Sequence, residues 1–231
     1  MQKPPLGDAA TTLRKDYGIY HLTRLQADKE AKQLAAAFEQ AQNRMKEKED
    51  SLEAAYTAMQ AAYAVRDSAD DALDGIVKEF YGAIVTATQH NQKSPLFSRY
   101  FPDGMSKVVI APLEEELQRV AAIIAKLGEE TDQTLKGYTP VLAAGCDNLR
   151  AAMAAFKSAV DAHNKAREMV EAEKLNWLDA YVRSYRDLGR IFYKQPKKPD
   201  TFFKPVPKAK KGNGGAPTGD QSTPKPPATK A

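Results

Sequence analysis

Cysteine occurs once in this 231-residue chain, at Cys146, so no disulfide can form within it. A lone thiol fits a reducing compartment, and the expected location is cytoplasmic. Long apolar runs are also missing. A membrane-spanning helix needs about 18 uninterrupted apolar residues. The longest candidate, 108–127, is broken by Glu114, Glu115 and Glu116. No transmembrane segment is therefore expected. The opening stretch MQKPPLGDAATTLRKD has no apolar core and is not expected to act as a secretory leader. Large aliphatic side chains are scarce as well. Hydrophobic residues make up 42% of the chain, but many are alanine, a strong helix former that fills little core volume.

Groupings that carry chemistry are equally sparse. His21, His90 and His163 are scattered and form no His-x-x-x-His or Glu-x-x-His pair, so helical spacing builds no metal site. Surface or seam positions are expected for them. Cys146 lies on an apolar face with no fixed histidine beside it, which points to a buried, inert thiol. The adjacent carboxylates Asp70-Asp71 and Glu129-Glu130 face different ways on a helix and are expected on the surface. The glycines at 212, 214 and 215 have no strand before them and no helix after them, so they form no phosphate loop. The expectation is a non-enzyme with no catalytic residue, cofactor or metal.

The chain does contain a seam. Stepping by four and three from Leu13 gives 22 positions ending at Ala87, of which only Arg24, Lys48 and Arg66 are not apolar. This heptad spacing marks a helix packed along its length against another helix. One seam position is mostly large (Tyr17, Phe38, Met45, Leu52, Met59, Leu73, Phe80) and the other mostly small (Ala27, Ala41, Ala55, Ala62, Ala69, Ala83). Small residues let two helix axes approach closely, which suggests a tight antiparallel partner. The charged seam residues are expected to snorkel at the seam edge.

The spacing predicts a flexible arm at 1–10 and helices over about 11–92, 113–136 and 139–193. A loop at 93–112 holds Pro95, Pro102, Gly104 and Pro112. Pro112 favours a helix start, and the three glutamates after it suit the positive end of the helix dipole. If the second and third helices continue through a kink at Gly137–Pro140, the fold is all-α: a long antiparallel hairpin, or coiled-coil rod. A true reversal there makes an elongated three-helix bundle instead.

Charge is unevenly placed. Residues 1–193 carry 25 basic and 28 acidic side chains, whereas 194–231 carry nine lysines and two aspartates. The latter stretch is rich in Lys and Pro and is expected to be a disordered basic tail. Arg183, Arg186, Arg190 and Lys194 recur at helical spacing, and Lys197, Lys198, Lys204, Lys208, Lys210 and Lys211 follow. Such a group is a candidate contact for an anion or nucleic acid. Aromatics interleave with it, and Phe202 and Phe203 are candidate docking side chains. Phe97, Tyr100 and Phe101 in the 93–112 loop are candidates for docking or for plugging the end of the helices.

In Lys, Pro and Ala content the tail resembles linker-histone tails. In element lengths alone the helices resemble those of BAR domains, which implies membrane-surface binding by the helical body. The weakly acidic body argues against that. The leading expectation is a structural or adaptor coiled-coil protein. It would associate with a protein partner or itself through its seams and hold a polyanion, nucleic acid or an acidic protein surface, with its tail. A nucleic-acid-binding protein and a membrane-surface protein are the alternatives.

Overall fold

Two helices dominate the chain, α3 (Ala35–Ala87, 53 residues) and α8 (Tyr138–Ile191, 54 residues). The computed structural model describes residues 10–205, and among them there is no strand. Before α3 come α1 (Ala10–Thr12), a π-helical turn (Leu13–Gly18), α2 (Ile19–Ala27) and a 3-10 turn (Lys32–Leu34). Between the long helices lie α4 (Pro95–Tyr100), α5 (Ser106–Val109), α6 (Leu113–Gly128) and α7 (Gln133–Lys136). A 3-10 turn, Pro199–Phe202, follows α8. The chain divides into two compact units. One comprises residues 10–58 and 160–205 of the described chain, the other Met59–Ala159.

In both units α3 and α8 run antiparallel. Within the first unit Phe38 meets Tyr181 and Tyr56 meets His163. Within the second, Tyr63 meets Phe156. Within the first unit the two numbers of each pair total 219, the mark of an antiparallel pairing. The small-residue rule operates at Gly145, where an added Cβ would sit 3.0 Å from Leu73 Cδ1 and 3.1 Å from Ile76 Cδ1. Arg66 lies half-buried at the seam edge, its guanidinium 4.5 Å and 4.7 Å from the ring centres of Tyr63 and Phe156. That is the snorkelled placement its seam position predicts.

The seam departs from a straight heptad at its start. The expected positions Tyr20 and Arg24 are exposed, while Leu13, Tyr17, His21 and Leu25 are buried. The π turn at Leu13–Gly18 is the cause, since a wider turn delays the helix and moves the inward face by one residue. Gln42 holds that turn open. Its Nε2 donates to the Arg14 carbonyl at 3.2 Å and its Oε1 accepts from Trp177 Nε1 at 2.9 Å. A Cβ on Gly18 would overlap the Gln42 amide. Gly18→Ala is therefore expected to destabilise the first unit by about 2 kcal/mol, measured by chemical denaturation with Trp177 fluorescence.

The first helix is not continuous over 11–92. It breaks at Asp28, whose Oδ1 accepts from the Glu30 and Ala31 backbone N–H groups and restarts the chain toward α3. It ends at Ala87, because Gln89 and His90 adopt left-handed backbone (φ 50° and 64°). The second helix does not run to 136 but stops at Gly128. Asp132 then caps α7 by accepting from Thr134 N–H at 2.8 Å. Pro112 takes the cap position of α6 and Leu113 begins it.

The chain reverses between α6 and α8. Glu116 of α6 bonds Asp70 of α3, whereas the Lys126 carbonyl accepts from Arg99, whose neighbour Tyr100 packs on Phe80. Residue numbers on α6 and α3 thus rise together, and α6 runs antiparallel to α8. The end-to-end arrangement of the second and third helices is corrected to this third-helix packing, and the cause is the cap and turn at 129–137.

Each unit has its own core. The first gathers Leu13, Leu25, Phe38, Met45, Trp177, Tyr181 and Leu188. The second gathers Leu73, Phe80, Ile84, Val120, Leu127, Leu142 and Cys146. Between positions 46 and 72 of α3, and between 153 and 169 of α8, no residue is buried. Residues 194–205, expected within a disordered tail, pack onto the first unit instead: Pro199, Phe202 and Phe203 are buried there. Three aromatic groups (Phe192 against Phe202, His21 and Tyr181 against Phe203) supply the burial that a Lys/Pro composition hides. The expected tail beyond 205 and the expected arm before residue 10 lie outside the described residues.

Candidate anion-binding face

The end of α8 and the segment after it carry the cations that the sequence singles out, and the structure divides them into three groups. Arg183, Arg186, Arg190, Lys194 and Lys197 are exposed. Arg183 bonds Asp179 at 2.6 Å and Arg190 bonds Asp187 at 2.9 Å, both as same-helix surface pairs of small energetic weight. Arg186, Lys194 and Lys197 form no ion pair among the described residues. Lys208, Lys210 and Lys211 lie outside the described residues.

Lys198 and Lys204 make up the second group, since they are already engaged. Lys198 Nζ lies 3.1 Å from Asp28, 3.8 Å from Glu30 and 3.8 Å from the Phe192 ring centre. Slight burial acts to raise the Asp28 pKa, but the Lys198 contact and two backbone N–H donors outweigh it and hold the carboxyl below its usual value. Lys204 pairs with Asp16 at 3.4 Å and stands over Tyr17. Arg24 donates to the Thr201 carbonyl at 3.1 Å. These contacts fasten the segment to α2 and to the π turn. Lys198 and Lys204 are thereby corrected from free anion contacts to internal clasps, because carboxylates distant in sequence meet them.

The candidate docking aromatics are likewise inside. Phe202 and Phe203 belong to the first core, and Phe97, Tyr100 and Phe101 to the second. Phe80 meets both Tyr100 and Phe101, and Tyr100 Oη donates to Glu130 at 2.8 Å. Burial and the nearby carboxylate push the Tyr100 hydroxyl pKa up. Next to the cations Tyr193 is 71% exposed, against 37% for Tyr20 and 41% for Tyr56, and the Lys194 ammonium lies 5.5 Å from its ring centre.

Two buried polar clusters had no signature in the sequence. His21 is fully buried, 163 residues from its partner Ser184. Its Nδ1 lies 3.0 Å from the Phe202 carbonyl, which can only accept, so Nδ1 carries the proton and Nε2 accepts from Ser184 Oγ at 2.8 Å. Burial pushes the His21 pKa down to about 4, against the Phe202 contact that raises it. Ser184 borders a groove of about 370 Å³. The hydroxyl, imidazole and carbonyl are ordered as in a nucleophile, base and orienting group. Acyl transfer also needs converging donors for an oxyanion. Arg44, Asn176 and Arg183 at the groove already bond Glu173 or Asp179. Backbone N–H groups around Ser184 serve α8 itself. What the trio does is lock the 199–203 segment to α2 and α8.

The second cluster lies on the α3–α6 seam. Glu116 is 1% exposed, shares a hydrogen bond with Asp70, and leaves Oε1 without a partner. Burial, then Asp70 and Asp74, push its pKa up to about 9. Burial raises Asp70 too. Among the described residues no group of three or more His, Cys, Asp or Glu is placed to hold a metal ion. Cys146 is buried, and burial raises its thiol pKa. No described helix is long and apolar enough to cross a membrane. Comparison with protein-family profiles, curated proteins and solved structures finds no match.

Proposed function

We propose that this chain is a non-enzymatic structural or adaptor protein that engages an anionic partner through the basic end of α8. The observation that carries the reading is the set Arg186, Lys194 and Lys197, exposed and without a carboxylate partner among the described residues. On the same element Lys174 is matched with Glu171 and Arg150 with Asp147, while Lys157, Lys165 and Arg167 are exposed without an ion pair among the described residues. What sets the basic end apart is that its unmatched cations lie within twelve positions of one another where the lysine-rich stretch 194–231 begins. Unmatched exposed cations keep their full attraction for a polyanion. The long helix pair supplies the support, since the seam residues Phe38, Met45, Leu73 and Phe80 are buried within the single chain.

The test is binding to heparin over a salt series. Affinity should fall steeply with salt. The triple variant Arg186→Gln, Lys194→Gln, Lys197→Gln should weaken it at least tenfold at low salt with the helical circular dichroism unchanged. Equal binding by parent and triple variant would end the reading.

A further inference from the structure

We infer that the partner of this basic end is a single-stranded nucleic acid, one of whose bases stacks on Tyr193 while Arg186, Arg190, Lys194 and Lys197 follow its phosphates. The inference rests on the anionic-partner reading and narrows it to one chemistry. Tyr193 is the most exposed of the large hydrophobic side chains among the described residues, at 71%. A large ring left in water is costly unless something covers it. Here the neighbouring Phe192 is buried and stacks on Phe202 instead. One cation stands beside the ring, Lys194 at 5.5 Å from its centre, and Arg190 and Lys197 flank it in sequence. Arg186 and Arg190 stand one helical turn apart, about 6 Å along the axis. Lys197 is positioned by its neighbour Lys198, which is clasped by Asp28 and Phe192. An aromatic platform beside a row of positive charge is the pattern that holds unpaired bases without reading their sequence.

A lipid surface fits less well. Insertion needs several apolar side chains pointing outward, yet Phe192, Pro199, Phe202 and Phe203 are all buried. Asp187 and Asp200 stand among the cations and would meet an anionic plane at the same time, whereas a strand can thread past them. Duplex DNA keeps its bases stacked on each other and offers no free face to the ring.

The experiment is fluorescence anisotropy of the full chain with a labelled oligodeoxythymidine of about 16 nucleotides, the upper site size of one single-strand module. Duplex DNA and phosphatidylserine vesicles are measured in parallel. Tyr193→Ala should weaken oligonucleotide binding roughly 5- to 150-fold without changing the salt slope. Tyr193→Phe should retain it. The triple glutamine variant should lower the salt slope by about 2. Three results overturn the inference: equal affinity of Tyr193→Ala and parent, equal preference for duplex, or binding to vesicles in place of the oligonucleotide. If the oligonucleotide fails while heparin still binds through the three cations, the single-strand inference falls and the adaptor reading stands. If heparin binding also ignores those cations, both fall.

Discussion

Trp177→Ala is expected to destabilise the first unit by about 4 kcal/mol, the largest loss from any single substitution considered. Three effects converge on this side chain. It is fully buried and stacks on Tyr181 with ring centres 5.0 Å apart, so truncation removes a large apolar surface and opens a cavity. It packs against Phe38, the α3 residue at the centre of that core. Its Nε1 satisfies Gln42, and loss of the donor leaves a buried amide oxygen unpaired while the same amide still holds the π turn. The check is urea denaturation followed by circular dichroism, since the variant has no tryptophan. The thiol reactivity of Cys146, buried in the other unit, serves as an internal control and should change little. A loss below about 1 kcal/mol would mean that neither the cavity nor the orphaned amide is felt.

Glu116→Gln is expected to stabilise the second unit above neutral pH and to remove most of its pH dependence there. The folded-state pKa of Glu116 lies above its unfolded value of 4.5, at about 9. The native state therefore holds a proton that the unfolded chain releases. The stabilising share of that proton is fully present below pH 4.5 and is lost progressively as pH rises toward 9. Glutamine keeps the size and a donor for Asp70 but cannot ionise. The gain at pH 8 to 9 should be of order 1 to 3 kcal/mol. Denaturation of parent and variant between pH 5 and 10, read by exposure of Cys146, checks it. Parallel curves for the two proteins would show that the Glu116 proton is not what the fold retains.

The α3 seam was legible in two stretches, around 38–45 and 73–80, because packing against one antiparallel helix leaves a regular period. Yet Val77 and Ile84 are buried where the seam expects Ile76 and Ala83, and no seam position between 46 and 72 is buried. Phe38, Ala41, Met45, Leu73 and Phe80 are buried at their heptad positions. At the amino-terminal end the period misled by one residue. A π turn inserts an extra residue per turn, and its determinant, the Gln42 amide, lies 28 residues away. On α6 the acidic first turn reads as surface, yet Glu116 is more deeply buried than Leu113 or Ile124. No hydrophobic pattern marks a carboxyl that is kept neutral by its surroundings. The basic segment was readable in composition but not in use. Lys194 and Lys197 have no carboxylate partner among the described residues and Lys198 and Lys204 do, a distinction set by Asp28 just past α2 and Asp16 in the π turn, both remote in sequence.

The two units differ in how the chain supplies them. The second is one uninterrupted stretch, Met59–Ala159, while the first is assembled from segments on either side of it. A ribosome therefore delivers every residue of the second core before it delivers Val170, Trp177 or Phe203 of the first. During synthesis the second unit can close on itself while Leu13, Leu25 and Phe38 still wait for partners up to about 190 positions downstream. The nascent segment before Met59 must stay without its core for that interval. Its alanine-rich, thinly hydrophobic face is suited to the wait, because it exposes little surface on which aggregation could start.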